Sequence, residues 1–162
     1  MPAFVSTCRK PRQRTRRIAR LLALLLGSKY ENRGKRSVGE VMERADLAGF
    51  SRVAFLHERH GALSRIEFYD AGLGWLPEIL EVKGAEIPES RFRVPPEFSF
   101  KAEDRGGGEI ARLFQMAQSE VEGLTEGAGV LAILSSDRLE FSARGEKRLS
   151  MDIRLATAKS VP

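Results

Sequence analysis

The sequence predicts a mixed α/β fold made of two similar halves, and three observations predict it. Apolar residues alternate at a period of two in several short segments, the signature of strands. Two other segments carry them at helical spacing. One pattern also recurs: Val53-Ala54-Phe55-Leu56 is followed by Arg65-Ile66-Glu67-Phe68, and Leu131-Ala132-Ile133-Leu134 by Arg138-Leu139-Glu140-Phe141. Each pair follows a helix opening Gly-Glu-aliphatic, Gly39-Glu40-Val41 and Gly108-Glu109-Ile110. The echo puts a boundary near residues 84–90, giving halves 1–86 and 87–158 within a single domain, 1–162. Arg-aliphatic-Glu-Phe is also ordinary strand alternation, so duplication and chance both stay open.

Phe4-Val5-Ser6-Thr7 reads as a short strand. Pro11 suits the first turn of the next helix, where its missing N–H costs no bond, and Gly27 is the natural stop. Ile18, Leu21, Leu22 and Leu25 fall on one side of that helix, and Arg12, Arg16 and Arg20 on another at i, i+4 steps. Asn32-Arg33-Gly34-Lys35 reads as a basic loop. Ser37 and Glu40 form a capping box for a second helix, from Val38 to about Leu47. Strands are expected over residues 52–56 and 64–69, joined around His60-Gly61, and over 76–82. Residues 91–96 are extended, and Pro95-Pro96 bars regular structure.

Arg105-Gly106-Gly107-Gly108 reads as a flexible connecting loop. It lacks the following Lys-Ser/Thr of a phosphate cradle, and Glu103, Asp104 and Glu109 flank it. Ile110, Leu113, Phe114, Ala117 and Val121 then mark an amphipathic helix. Residues 129–134, 138–143 and 149–155 form a closing meander, and the tail after Ala156 is loose.

The 162 residues are 42% hydrophobic and 30% charged, the profile of a soluble globular protein. The net charge of +5 is unevenly spread. Eleven basic residues between Arg9 and Arg36 face a single acid, Glu31, whereas residues 37–162 carry a net −5. Such asymmetry points to nucleic acid or an anionic membrane. The apolar run 21–26 is too short for a bilayer, which takes about 20 apolar residues. No small-x-small cleavage site follows, so the run is read as a folded helix and not an export signal. A soluble, cytoplasmic protein without a membrane partner is expected.

The single cysteine, Cys8, excludes an internal disulfide and suits a reducing compartment. No positioned base accompanies it, so a small-residue role in a strand is expected instead of catalysis. His57 and His60 stand at i, i+3 beside a turn, not at the i, i+4 helical spacing of zinc proteases. No catalytic residue, metal or cofactor is expected.

The candidate nucleic-acid-binding residues are therefore Arg9, Lys10, Arg12, Arg14, Arg16, Arg17 and Arg20, then Lys29, Arg33, Lys35 and Arg36, with Tyr30 and Asn32 among them. A guanidinium fork matches phosphate geometry, and several along one helix can track a nucleic-acid backbone with salt-sensitive affinity. Tyr30 and Asn32 can stack on or bond to a base. A solvated basic face, or one that docks a protein, is the alternative.

Ser6-Thr7-Cys8-Arg9-Lys10-Pro11-Arg12-Gln13-Arg14-Thr15-Arg16, the leucine-rich helix and Tyr30-Glu31-Asn32-Arg33-Gly34-Lys35 resemble the opening of the Brix domain, that family's sigma-like motif, in its short archaeal members. The hairpin at Glu58-Arg59-His60-Gly61 is similar too. The likeness is specific over roughly residues 1–70 and weaker beyond. It departs at Cys8, where serine is more usual, and at Arg12, where a small hydroxyl residue is common.

The resemblance implies a non-enzymatic ribosome biogenesis factor that binds ribosomal RNA or its precursor. Other assembly proteins are possible partners, and no small-molecule substrate is implied. It also implies two α/β halves that each resemble the anticodon-binding domain of class II aminoacyl-tRNA synthetases. Three alternatives stay open: a protein-interaction module of a ribonucleoprotein particle docking an acidic partner through the basic helix, an enzyme acting on RNA, and a DNA-binding protein. Residues 27–35 are too long for the tight turn of a helix-turn-helix.

Overall fold

Eight strands and three helices follow one another in the described residues, which in this computed structural model are 1–89, 91–117 and 129–157. In order they are β1 (Phe4–Thr7), α1 (Gln13–Leu26), α2 (Val38–Leu47), β2 (Arg52–Arg59), β3 (Ala62–Asp70), β4 (Gly74–Glu86), β5 (Phe98–Ala102), α3 (Arg105–Leu113), β6 (Val130–Leu134), β7 (Arg138–Ala143) and β8 (Glu146–Thr157). The strands form one mixed sheet in the order β1-β2-β3-β4-β8-β7-β6-β5. β1 runs parallel to β2, and β5 parallel to β6. Every other pairing is antiparallel, including the β4–β8 seam. No helix among the described residues is long and apolar enough to cross a membrane.

Side chains alternate across the sheet, so each strand commits one set of residues to each face. Ala54, Leu56, Ile66, Phe68, Leu80, Ala132, Leu134, Leu139, Phe141 and Ile153 share one continuous core with Ile18, Leu22 and Leu25 of α1 and Ile110 and Leu113 of α3. α1 and α3 therefore cover the same face. α2 covers the other, where Val41, Met42 and Ala45 pack on Phe4, Val53 and Phe55. A right-handed return from each parallel strand accounts for α1 and α3 lying on one side.

α2 has the expected bounds and capping box: the Ser37 hydroxyl accepts from Glu40 N, and the Ser37 N–H donates to the Glu40 carboxylate. β2 and β3 are longer than expected and meet in a two-residue turn. His60 and Gly61 both have positive φ there, 54° and 78°, the type I′ geometry that suits strand twist.

Several expectations need correction. Pro11 lies outside α1, because Arg12 is the N-cap and the helix starts at Gln13. Leu21 sits half-exposed at the core margin, while Ala19, Ala23 and Leu26 are buried. Cys8 falls one residue past β1, half-buried and free. β5 was not anticipated. The glycine run is not a connector but the first turn of α3. Asp104 caps that turn by accepting from Gly107 N, and a Cβ on Gly107 would meet Leu134 O at 2.2 Å. Only glycine permits so close a helix–strand approach. α3 then stops at Leu113, short of Ala117; Val121 and the tail beyond Thr157 lie outside the described residues.

The strand part of the echo falls on matching positions: Arg65-Ile66-Glu67-Phe68 lies in β3 and Arg138-Leu139-Glu140-Phe141 in β7. The helix part pairs the wrong elements. Gly39-Glu40-Val41 lies in α2 and Gly108-Glu109-Ile110 in α3, on opposite faces of the sheet. By position, α3 matches α1.

Candidate nucleic-acid interface

α1 opens without a capping side chain of its own, since its N-cap is arginine. The cap comes from β2. The Arg12 N–H donates to both oxygens of Glu58, at 3.0 and 3.2 Å, and the Thr15 hydroxyl donates to the same carboxylate. A carboxylate at a helix N-terminus also complements the macrodipole. Glu58 thus engages the amide of the N-cap residue and a hydroxyl of the first turn.

β1 is one of the sheet's two edge strands, and the chain after α1 returns along it. Val5 N donates to Lys29 O, Glu31 N to Val5 O and the Ser6 hydroxyl to Glu31 O. This strap covers an edge that would otherwise invite strand pairing. It also brings the second basic patch beside the first. Glu31, the lone acid of the basic segment, is turned toward α2. There Arg44 reaches it at 2.6 Å and holds its carboxyl below the usual range, chiefly through that hydrogen bond.

The two patches meet in an open groove of about 650 Å³, lined by Arg9, Lys10, Pro11 and Arg16 on one side and Asn32, Arg33, Gly34 and Lys35 on the other. Lys10 adopts a positive φ of 52° as the chain turns from β1 into α1. Arg33 is held in place: its guanidinium lies 5.6 Å from the centre of the Phe55 ring, and its Nε donates to Arg36 O. Burial, then the charge of Arg9, lowers its pKa. Like charges so close cost energy in the free protein and are relieved by a polyanion.

The other expected residues stand elsewhere. Arg12 lies over the Gly61 turn. Arg14 reaches 2.7 Å to Ala85 O in β4. Arg17 is exposed on α1. Lys29 lines a second, shallower groove with Phe4, Arg44 and Leu47. Arg36 donates to Asn32 O and closes the loop.

Tyr30 and Arg20 are not among the residues that line the groove. Arg20 lies over the Tyr30 ring at 5.7 Å, and the Tyr30 hydroxyl donates to Asn32. Burial raises the tyrosine's pKa despite the nearby charges of Arg20 and Arg16. Tyr30 is thus half-buried, with one ring face under Arg20 and its hydroxyl on a groove residue.

Two participants were missed. Glu58 was read only as part of a hairpin, though a helix whose N-cap is arginine signals a cap from elsewhere. Phe55, the floor beneath Arg33, was read only as a strand residue; alternation places it on the α2 face, but nothing in the sequence sets an arginine over it.

No protein-family model matches the chain. It is 38% identical over 96 residues to a probable Brix domain-containing ribosomal biogenesis protein of Methanothermobacter thermautotrophicus, covering 56% of this chain and 59% of that one. It is 31% identical over 117 residues to a protein of the same description from Pyrobaculum aerophilum, covering 68% and 65%. The chain thus spans about three fifths of the curated relatives it matches.

Among solved structures, an archaeal Imp4-like protein, Mil, superposes with a TM-score of 0.72 at 24% identity, over 95% of this chain and 99% of that one. A probable ribosomal biogenesis protein from Aeropyrum pernix superposes with a TM-score of 0.74 at 19% identity, over 94% and 95%. These two share the fold. With the sequence matches beside them, the chain is a homologue of the archaeal Brix domain-containing ribosomal biogenesis proteins.

Proposed function

We propose that this protein is a non-catalytic ribosome biogenesis factor of the cytoplasm that binds ribosomal RNA or its precursor in the groove between α1 and the 32–36 loop. The observation that carries the reading is the convergence of Arg9, Lys10, Arg16, Arg33 and Lys35 on one groove from segments far apart in sequence. Cations on two walls can hold a phosphate backbone and screen repulsion between RNA segments brought together for pairing. Arg17 and Arg20 extend the positive field along α1, and other assembly proteins are partners that the acidic remainder of the chain can recruit.

The domain is read as one unit spanning 1–162, with halves 1–86 and 87–158 that each resemble the anticodon-binding domain of class II aminoacyl-tRNA synthetases. The support is the sheet order, in which each side of the β4–β8 seam has one parallel pair at the edge followed by antiparallel strands.

The test is binding to a ribosomal RNA fragment, an unrelated RNA and duplex DNA across a salt series. Preference for the ribosomal fragment that survives moderate salt is the expected result. The double charge reversal Arg16→Glu with Lys35→Glu should weaken binding at least about tenfold and flatten the salt dependence by about one unit of slope per lost phosphate contact. Unchanged affinity in a folded double variant would overturn the placement.

A further inference from the structure

The face of the sheet that holds α2 carries a second feature beside the groove. Trp75 in β4 is the only tryptophan of the chain and stands 46% exposed. Its ring packs edge-on against Tyr69 of β3, with centroids 5.2 Å apart and planes at 85°. It also lies 5.7 Å from Phe55, the ring beneath Arg33. Arg33, Phe55, Trp75 and Tyr69 therefore form a continuous chain of contacts from the groove onto the open sheet. Phe55 is fully buried and Tyr69 half-buried, so Trp75 is the ring of the three most open to solvent.

The charges around this track suit the same ligand. Arg65 on β3 is nearly half-exposed, at 2.6 Å from Glu67, and the other Glu67 oxygen lies 3.3 Å from His57 Nε2. Glu67, opposite Phe55 in the β2–β3 register, is thus already engaged. A folded protein gains little by exposing a large indole beside a cationic groove, unless the ring receives something flat. Unpaired bases stack on aromatic side chains on sheet surfaces while cations follow the backbone. A paired duplex keeps its bases inside the stack and offers the ring no face.

We propose that Trp75, braced by Tyr69 and Phe55, is a stacking platform for an unpaired nucleotide of an RNA strand whose phosphates occupy the Arg9–Lys10–Arg33–Lys35 groove, so that the preferred ligand is single-stranded RNA. This rests on the groove reading and adds the class of RNA to it.

Trp75 emission reports on this one ring alone. The experiment titrates the full chain with a single-stranded oligoribonucleotide of mixed sequence and with a blunt RNA duplex, following both indole fluorescence and affinity, for wild type, Trp75→Ala and Trp75→Phe. Quenching by the single strand is expected. Trp75→Ala should lose about five- to hundredfold in single-strand affinity, the range one stacked base provides. Duplex affinity should stay unchanged, and Trp75→Phe should recover most of the loss.

Wild-type binding without quenching, together with single-strand affinity unchanged in Trp75→Ala, would overturn the platform and leave the groove standing. Equal loss for both RNAs would also overturn it. Failure of the wild type to bind either RNA would remove the groove reading as well. Should Trp75→Ala not fold, wild-type quenching and the Trp75→Phe affinities still decide.

Discussion

The unit β1–α1 and the unit β5–α3 share a topology and differ in almost everything on their surface. Each is an edge strand, a helix on the same face and a return to a parallel neighbour. In the first, the turn into the helix is Arg9-Lys10-Pro11-Arg12, and the cap is delivered by Glu58 from β2. In the second, the cap is local: Asp104 accepts from Gly107 N at 2.8 Å and from Ser136 N at 3.0 Å.

A remote cap releases the linker from supplying one. Position 12 need not be Ser, Thr, Asp or Asn, so the whole turn can be basic. The local cap and its glycines do the reverse, bringing the first turn of α3 down onto β6 at Leu134. The two units share a topology and differ in where the cap of the helix comes from.

The tight unit should break most sharply. Gly107→Ala places a methyl against the Leu134 carbonyl, a backbone group that cannot swing away. A loss of about 3 kcal/mol is expected in chemical denaturation, with RNA affinity of the folded fraction unchanged. If Gly107→Ala cost nothing, the close approach of α3 to β6 would not be what shapes this unit.

Next comes the tie between the units. Arg52 at the start of β2 is nearly buried. Its Nε lies 3.0 Å from Asp70, and its terminal nitrogen donates to Arg112 O and Leu113 O at the end of α3. The two ends of β2 thus cap two helices: Arg52 the C-terminus of α3, and Glu58 the N-terminus of α1. Arg52→Ala leaves Asp70 without its charged partner and removes the side-chain donor from Leu113 O, while Gln115 N still reaches Arg112 O, and should cost about 2–3 kcal/mol. Arg52→Lys should recover only part of this, since one ammonium cannot span the same fork.

What was legible in the sequence follows the range of the interaction. α2 was readable to the residue because Ser37 and Glu40 are three positions apart. β2, β3, β7 and β8 were readable because alternation is local. The body of α3 was readable from Ile110 and Leu113, but its start was not, because three glycines each cost about 1 kcal/mol of helix propensity, and the contact with Leu134 that makes up for them is invisible without the fold. β5, Phe98-Ser99-Phe100-Lys101-Ala102, does alternate, but it is only five residues long, follows two prolines and is a half-exposed edge. The same holds for the site. That the front end is cationic was plain from counting, but which cations share the groove was not. Arg14 is withdrawn by a carbonyl 71 positions away, and α1 is capped from 46 positions away.

Glu58→Ala tests the remote cap directly. It strips acceptors from the Arg12 amide and the Thr15 hydroxyl, and about 1–2 kcal/mol should be lost. Glu58→Gln keeps an acceptor and should fall between the two. A cost as large as that of Gly107→Ala would mean Glu58 does more than cap.

The smallest effect is the local cap's dependence on pH. Hydrogen bonds from Ser136 N and Gly107 N hold the Asp104 carboxyl below its ordinary value of 3.8. A depressed folded value means the unfolded chain binds the proton first as pH falls. The stabilisation is complete above 3.8 and is lost as pH drops through the lower folded value. Asp70 and Glu31 are depressed as well and share the acid limb, so total stability against pH cannot isolate Asp104. The difference between wild type and Asp104→Asn can. It should be flat from neutrality down to about pH 5 and shrink steadily below that. A difference independent of pH would mean that the carboxylate's charge contributes nothing to the cap, and that the contrast between the units rests on the glycines alone.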